Sequence, residues 1–306
     1  MWAYSTAARV LPSRVPPVTD ALPLQALALL LAVAPVTAAL YVFRRIDAVR
    51  PEPTHEIART MLLGVASCLP VFLIEVGLKR ALGRHSLAGG RFLDAYLVAA
   101  LTEEGAKLAV VLGYAFRRAD FDEFTDGVVY AGAASLGFCL VENLIYLSDA
   151  FAMAFCALPG VDDLCVPHPQ AGRADVMILG LVRALTTVPM HALAAASMGY
   201  FIGRARFPEL TLVETSLQDL ADLLPARVPL RARWILLGLG AAVLVHGTFD
   251  WVVYALGARP IVFIALPATL LAALAVCHRL VRHALDMDDA LHGHRRSSIV
   301  RAFRVR

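Results

Sequence analysis

Ionisable side chains lie inside four strongly hydrophobic stretches of the sequence, at positions where contact with lipid would exclude them. Carboxylates and imidazoles can transfer protons or bind a metal ion, and a cationic neighbour can keep a carboxylate ionised. The polar residues are Glu103, Glu104 and Lys107; Glu142 and Asn143; Arg183 and His191; and His246 and Asp250. A charged group costs about 2.5–3.5 kcal/mol at the middle of a membrane span. We therefore expect these groups to face inward and to share one polar chamber.

Spacing within two of the stretches favours contacts along a single helix. Lys107 lies four residues after Glu103 and three after Glu104, so its ammonium group can reach either carboxylate. Asp250 lies one helical turn after His246 and can hold one imidazole nitrogen while the other faces the bundle. Each pair alone is also compatible with a purely structural role. Their occurrence together on separate stretches favours a functional site.

Two further charged groups are predicted to lie at the membrane surface. Arg183 stands near the start of its hydrophobic stretch, so its long side chain is expected to extend to the lipid headgroups. Glu75 and Lys79, four residues apart at the end of a stretch, are expected to form an interfacial ion pair.

Composition identifies the elements that must carry these residues. The 306 residues are 59% hydrophobic and 17% charged, with a mean hydropathy of +0.67, whereas soluble domains are about 45–50% apolar and about 25% charged. Blocks long enough to cross a bilayer as helices occur at 22–43, 58–78, 92–116, 126–156, 176–203, 233–256 and 260–281. None alternates as a β-barrel strand does. The sequence predicts an all-α, polytopic membrane bundle of about seven transmembrane helices.

The chain is expected to have three parts: an N-terminal tail at 1–21, one transmembrane domain at 22–283, and a basic cytosolic tail at 284–306. Arginine and lysine are more abundant in alternate connections, which favours an external N-terminus. An irregular outer loop is expected at 157–175, and whether Cys156 and Cys165 pair is left open. Apolar residues at helical spacing predict a short interfacial helix within 204–232. The net charge of +3, without a basic stripe, gives no indication of nucleic-acid binding.

The order of these motifs resembles the PrsW family of intramembrane proteases, within the superfamily that includes CAAX-prenyl endopeptidases and bacteriocin-processing enzymes. The matching pieces are Glu103-Glu104-x-x-Lys107, DGVVYAGAASLGFCLVENLIY from Asp126 to Tyr146, His191 followed by Gly199-Tyr200, and His246-x-x-x-Asp250. They extend over residues 92–256. The CAAX branch commonly has His where this chain has Glu142, and Asn where it has Asp250, so the match favours the PrsW branch.

The resemblance implies an endopeptidase of the bacterial inner or plasma membrane that cuts membrane-anchored protein substrates within the lipid bilayer. Its implied catalytic residues are Glu103, Glu104, Glu142, His191 and His246, supported by Lys107, Asn143 and Asp250. Glu103, with Glu104 close by, would act as general base on water while Lys107 keeps one of the pair ionised. The two histidines would donate to the oxyanion or protonate the leaving amine. Glu142 with Asn143 would position the water, and Asp250 would orient its histidine.

Three alternatives remain open from the residues alone: zinc chemistry, transport, and a protease-like membrane scaffold without activity, in which the Glu103-Glu104 pair would be dispensable. The same side chains could bind one zinc ion through Glu103, Glu142, His191 and His246, so either no cofactor or one zinc is expected. No H-E-x-x-H helix is present to decide between the two. A carboxylate and imidazole chamber would also suit a proton-coupled transporter, although the sequence shows no repeated halves.

Overall fold

The computed structural model describes residues 18–47, 50–82, 88–148, 173–208, 216–257 and 259–292. Within these ranges all regular secondary structure is helical. The α-helices are α1 Val18–Ile46, α2 Thr54–Leu82, α3 Ala88–Leu93, α4 Leu101–Gly113, α5 Phe124–Leu147, α6 Arg173–Leu185, α7 Thr187–Arg206, α8 Ser216–Asp222, α9 Leu230–Leu256 and α10 Val262–His292. A π-helical segment, Asp94–Ala100, joins α3 to α4, and a short 3₁₀ turn, Ala115–Arg117, follows α4.

Six helical segments in the described ranges are long and apolar enough to cross a membrane. They are Pro23–Ile46, Thr54–Leu82, Phe124–Leu147, Ala174–Arg206, Leu230–Leu256 and Val262–His292. Large apolar side chains such as Leu62 and Phe263 are 64% and 77% exposed, whereas Glu104 and Lys107 are fully buried. Apolar residues outside and charged residues inside are the arrangement that lipid requires. The predicted all-α, multi-pass integral membrane bundle is confirmed.

The third predicted block, 92–116, differs from the other spans. It is built from α3, the π-helical segment and α4 placed end to end, and it does not meet the length and apolarity of a spanning helix. Glu103, Glu104 and Lys107 lie within five residues and lower the hydropathy of any window that contains them, and α4 itself is only 13 residues long. The block still packs inside the bundle, against α2 and α9.

A proline divides the fifth predicted block into α6 and α7. Pro189 has no backbone N–H, and its ring would clash with the carbonyl of Leu185 in a continuous helix. Helix α6 ends at Leu185, and Thr186 leaves the helical conformation with φ −126° and ψ −60°. The break lies five residues before His191, so it is close in sequence to the polar cluster.

The fourth block was predicted to reach residue 156, but α5 ends at Leu147 because Ser148 is extended.

Helix α5 lies at the centre of the bundle, in contact with α1, α2 and α7. Its small residues let neighbouring backbones approach closely. A Cβ on Gly199 of α7 would lie 2.4 Å from the carbonyl oxygen of Gly127, so only glycine allows this crossing. The result fixes α7, which carries His191, directly against α5, which carries Glu142.

Several predicted features lie in the connections. The short helix expected within 204–232 is present as α8, Ser216–Asp222. The possible pair of Cys156 and Cys165, most of the outer loop, and the tail beyond residue 292 lie outside the described residues. Within those residues, Cys68, Cys139 and Cys277 are buried free thiols.

Candidate active site

The structure brings the predicted site residues from α4, α5, α7 and α9 into one buried cluster. The rings of His191 and His246 lie 5.2 Å apart, centroid to centroid, in an edge-to-face arrangement. Neither histidine is more than 2% exposed, and Lys107 and Glu104 are completely buried. The site therefore has the inward-facing chamber geometry expected from the cost of burying each group alone.

Lys107 lies at the centre of this chamber. Its ammonium nitrogen Nζ lies 3.1 Å from Glu103 Oε2, 2.7 Å from Glu104 Oε1 and 3.1 Å from His191 Nδ1. The same group lies 4.5 Å from the centroid of the Phe138 ring, which closes one side by a cation–π contact. One lysine on α4 thus contacts both glutamates of its own helix and the histidine of α7.

The two neighbouring glutamates have different environments. Glu104 Oε1 accepts hydrogen bonds from Lys107 and from His246 Nδ1, the latter at 2.8 Å. Its other oxygen, Oε2, is buried and has no hydrogen-bond partner in the described ranges. The Glu103 side chain retains 11% exposure and lies 3.9 Å from His246 Nε2. Glu104 is therefore fixed in place, while Glu103 is the more accessible carboxylate.

Each histidine directs Nδ1 toward this cluster and Nε2 toward a further carboxylate. Because the Lys107 ammonium can only donate, His191 Nδ1 must accept, and its Nε2–H then donates to Glu142 Oε2 at 2.8 Å. His246 Nε2 faces Asp250 Oδ2 at 3.4 Å, as the four-residue spacing predicts. A carboxylate that orients the outer nitrogen is the usual partner of a metal-binding histidine.

Arg183 corrects an expectation from the sequence. It does not extend to the headgroups: it is buried, and its Nη2 lies 3.1 Å from Glu142 Oε1. Its Nε donates to Asn143 Oδ1 at 2.7 Å, and its guanidinium lies 4.1 Å from the centroid of the Tyr146 ring. The physical reason is that Glu142 needs a cationic partner at this depth, and the end of α6 places Arg183 beside it. Sequence reasoning missed this role.

A close contact between α9 and the π-helical segment sets the position of His246. A Cβ on Gly247 would lie 2.4 Å from Cδ1 of Tyr96, so glycine allows the Tyr96 ring to lie against the α9 backbone. The Tyr96 hydroxyl and the Thr248 hydroxyl share a hydrogen bond of 2.8 Å. The π-helical geometry is marked by the bond from the Leu101 N–H to the Tyr96 carbonyl, five residues back. Such segments are frequent at functional sites.

Four buried residues of the chamber form a possible metal-binding set. One donor atom each from Glu103, Glu104, His191 and His246 lies within 4.8 Å of the others. Two nitrogens and two carboxylate oxygens suit zinc, and the unpartnered Glu104 Oε2 supplies a free donor. The types and separations of these four donor atoms therefore fit zinc. Because Lys107 contacts three of the four residues, a zinc ion would have to share their donor atoms with the ammonium or displace it.

This set differs in one member from the zinc ligands expected from the sequence. It contains Glu104, whereas the sequence expectation names Glu142, whose carboxylate contacts Arg183 and the outer nitrogen of His191; the ligand set itself stays a prediction. The expected ion pair of Glu75 and Lys79 is present, with its charged atoms 3.8 Å apart, and its position at the membrane surface stays a prediction.

Comparison with known proteins connects this geometry to a family. A family model described as PrsW family intramembrane metalloprotease matches residues 52–276. Protease PrsW of Bacillus subtilis is 30% identical over 224 residues, which cover 73% of this chain and 81% of the relative. Protease PrsW of Geobacillus kaustophilus is 31% identical over 175 residues (57% and 65%), and that of Clostridioides difficile is 23% identical over 226 residues (73% and 77%). No solved structure matches the chain significantly.

Proposed function

Since this chain belongs to the PrsW family of intramembrane metalloproteases and is a membrane peptidase, we propose that its buried chamber hydrolyses peptide bonds of membrane-anchored protein substrates. The matched region, residues 52–276, contains every site residue described above. The resemblance found in the motifs is therefore confirmed, and so is the peptidase class.

One observation carries the proposal: two acids and one imidazole meet around a single buried ammonium group, and the second imidazole, that of His246, contacts one of the two acids. Lys107 Nζ lies within 3.1 Å of Glu103, Glu104 and His191. So many ionisable groups are expensive to bury for packing alone, whereas hydrolysis requires a base, a positive charge and aligned imidazoles in one place.

Glu103 is the general base of this proposal because it is the accessible carboxylate of the pair. It accepts a proton from water as the water oxygen bonds to the substrate carbonyl carbon. When the carbon–nitrogen bond breaks, Glu103 returns that proton to the leaving amine, so that charge and protons balance. Lys107 keeps the base ionised between turnovers, and Glu104 holds Lys107 in position.

Glu104, His191 and His246 are the residues that would hold a zinc ion, with one position left for water or substrate. When bound, zinc would supply a Lewis acid that polarises the water and the substrate carbonyl. Glu142 and Asp250 align the outer nitrogens of the two histidines. Arg183 in turn fixes Glu142, which completes a chain of contacts from α6 to the chamber.

The location of the chamber defines the kind of substrate. His246 lies ten residues before the end of α9, which corresponds to about 15 Å along the helix axis. A substrate helix in lipid has its amides hydrogen-bonded internally, so it must unwind locally to present a peptide bond. Membrane-anchored segments that unwind easily near the cut are therefore the preferred substrates.

The test is cleavage of single-span substrates by the purified full chain in liposomes. We expect the wild type to cleave, and we expect Glu103→Gln to be slower by at least about 100-fold, because it lacks the base. Asp222→Asn is the matched control, because it also removes a carboxylate. Asp222 is exposed, pairs with Arg233 and is not one of the chamber residues. Equal cleavage by the wild type and Glu103→Gln would overturn the proposal.

Metal dependence is tested on the same liposomes. Removal of metal by a chelator should abolish cleavage, and zinc should restore it. Bound zinc, measured by elemental analysis, should be one per chain in the wild type and should fall in Glu104→Gln. Full activity in a protein free of zinc would instead indicate that Glu103 and the histidines hydrolyse the peptide bond without a metal ion.

A further inference from the structure

A second cluster of buried carboxylates lies far from the chamber. Asp47 follows the end of α1, Glu52 lies in the connection to α2, and Asp126 belongs to the first turn of α5. Asp126 and Glu142 are both on α5, separated by 16 residues, which is about 24 Å along the helix. The cluster is therefore at the other end of the central helix and takes no part in the site described above.

The three carboxylates are close together and almost completely buried. One oxygen from each lies within 4.8 Å of the others, and the residues are 1%, 5% and 0% exposed. Among the described residues, no basic nitrogen pairs within 4.0 Å with the carboxylate of Glu52 or Asp126; Arg50 pairs instead with Asp122 and Glu123. Three negative charges at this separation repel strongly unless a cation or protons neutralise them.

Asp126 provides an independent indication of a ligand. Its Oδ2 accepts hydrogen bonds from the backbone N–H groups of Asp122 and Glu123, at 2.7 and 2.6 Å, which fixes the start of α5. Its Oδ1 is fully buried and has no hydrogen-bond partner in the described part of the chain. Glu52 is held in a similar way, because the Tyr130 hydroxyl donates to its Oε2. Local hydrogen bonds thus orient these two acids and leave Asp126 Oδ1 without a hydrogen-bond partner among the described residues.

We propose that Asp47, Glu52 and Asp126 bind a hard divalent cation, Mg²⁺ or Ca²⁺, which ties the α1–α2 connection to the start of α5. All the donors are oxygens, which these ions prefer, whereas zinc prefers nitrogen and sulfur. A surface cavity of about 310 Å³, lined by Arg50, Pro51, Glu52, Asp120 and Asp122, adjoins the cluster at Glu52.

Shared protons are the competing way to relieve the repulsion. Burial raises the pKa of the Glu52 carboxyl above its ordinary value, although its hydrogen bond with Tyr130 acts in the opposite direction. A protonated cluster would bind no ion and would gain nothing from one. The two explanations differ in whether the folded protein takes up a divalent ion.

The experiment is equilibrium binding of Mg²⁺ and of Ca²⁺ to the metal-free full chain in nanodiscs, by calorimetry, with thermal unfolding in parallel. We expect one saturable site for at least one of the ions and a higher unfolding midpoint when it is bound. Asp126→Asn should weaken binding at least 10-fold. Two controls should bind normally: Asp120→Asn, which removes an exposed acid of the adjoining cavity, and Glu104→Gln, which changes the chamber.

Four results would overturn the proposal. The first three are no saturable binding by the wild type, equal binding by Asp126→Asn, and loss of binding in Glu104→Gln instead. The fourth is that the wild type binds neither ion and Glu52→Gln unfolds at a higher midpoint than the wild type. If Asp126→Asn does not fold, Glu52→Gln takes its place, because a glutamine can still accept the bond from Tyr130. Loss of the site in that variant supports the proposal, and retention contradicts it.

Discussion

Arg183→Gln tests whether the contacts from α6 to the chamber serve catalysis. The change removes the charge that pairs with Glu142 at 3.1 Å and the bond to Asn143 at 2.7 Å. Removing one partner of a buried ion pair costs about 3–5 kcal/mol. The Glu142 side chain keeps 22% exposure, so we take about 2 kcal/mol, below that range. If that energy positions His191 in the transition state, cleavage should slow by about 30-fold.

The assay is a double-mutant cycle on the rate of substrate cleavage in liposomes. Because the contacts of the described residues connect Arg183 to His191 through Glu142, the effect of Arg183→Gln should largely vanish when Glu142 is already a glutamine. We expect Arg183→Gln to reduce the rate less than about 3-fold in the Glu142→Gln background, which corresponds to strong coupling. Arg183→Lys should be intermediate, since a lysine keeps the charge but cannot reach both Glu142 and Asn143 in the same fork geometry.

Arg204→Gln is the matched control for this cycle. Arg204 is also a buried arginine and lies 4.8 Å from the centroid of the Trp234 ring, away from the chamber. Its replacement should lower the unfolding midpoint while the rate per folded molecule stays unchanged. Losses that simply add for Arg183→Gln and Glu142→Gln would refute the idea that the arginine acts through the glutamate.

Three further changes have distinct expected outcomes. Asp250→Asn should lower the cleavage rate or the zinc affinity by about 10–100-fold, because it removes the charge that orients His246. Membrane insertion should stay normal, and unchanged zinc content and cleavage would contradict this. Glu104→Gln should lower the thermal midpoint as well as activity, whereas Glu103→Gln should lower activity alone, since only Glu104 is fully buried between two donors. Gly199→Ala should destabilise the fold by about 1–3 kcal/mol, seen as a lower midpoint, because its Cβ would lie 2.4 Å from the Gly127 carbonyl; an unchanged midpoint would show that the helices separate without cost.

The chamber was largely predictable because lipid makes buried charge costly. Each of the catalytic candidates stands out as an ionisable residue in an apolar run, and spacing alone predicted the contacts of Lys107 with both glutamates and of Asp250 with His246. Hydropathy likewise located six of the seven predicted spans, since a 20-residue apolar helix has few alternatives in a chain of this composition.

Features that depend on how helices meet were not predictable from the same patterns. Arg183 was expected at the headgroups because it stands near the start of its hydrophobic stretch. That position does not indicate which carboxylate the folded helix faces. The presence of Glu104 rather than Glu142 in the cluster of nearby donor atoms has the same origin, because the orientation of the His191 ring depends on contacts from α4 and α5 together. A sequence signal existed for one of these features, since Pro189 marks the break that ends α6 near Arg183.

Mapping the cut site tests the central claim most directly. A single-span substrate would be incubated with the wild type in liposomes, and the new termini of its products would be identified by mass spectrometry. We predict one or a few cuts inside the membrane-spanning segment of the substrate, with no such products from Glu103→Gln. Cuts confined to the water-exposed flanks, or the same products from Glu103→Gln, would contradict hydrolysis by this buried chamber.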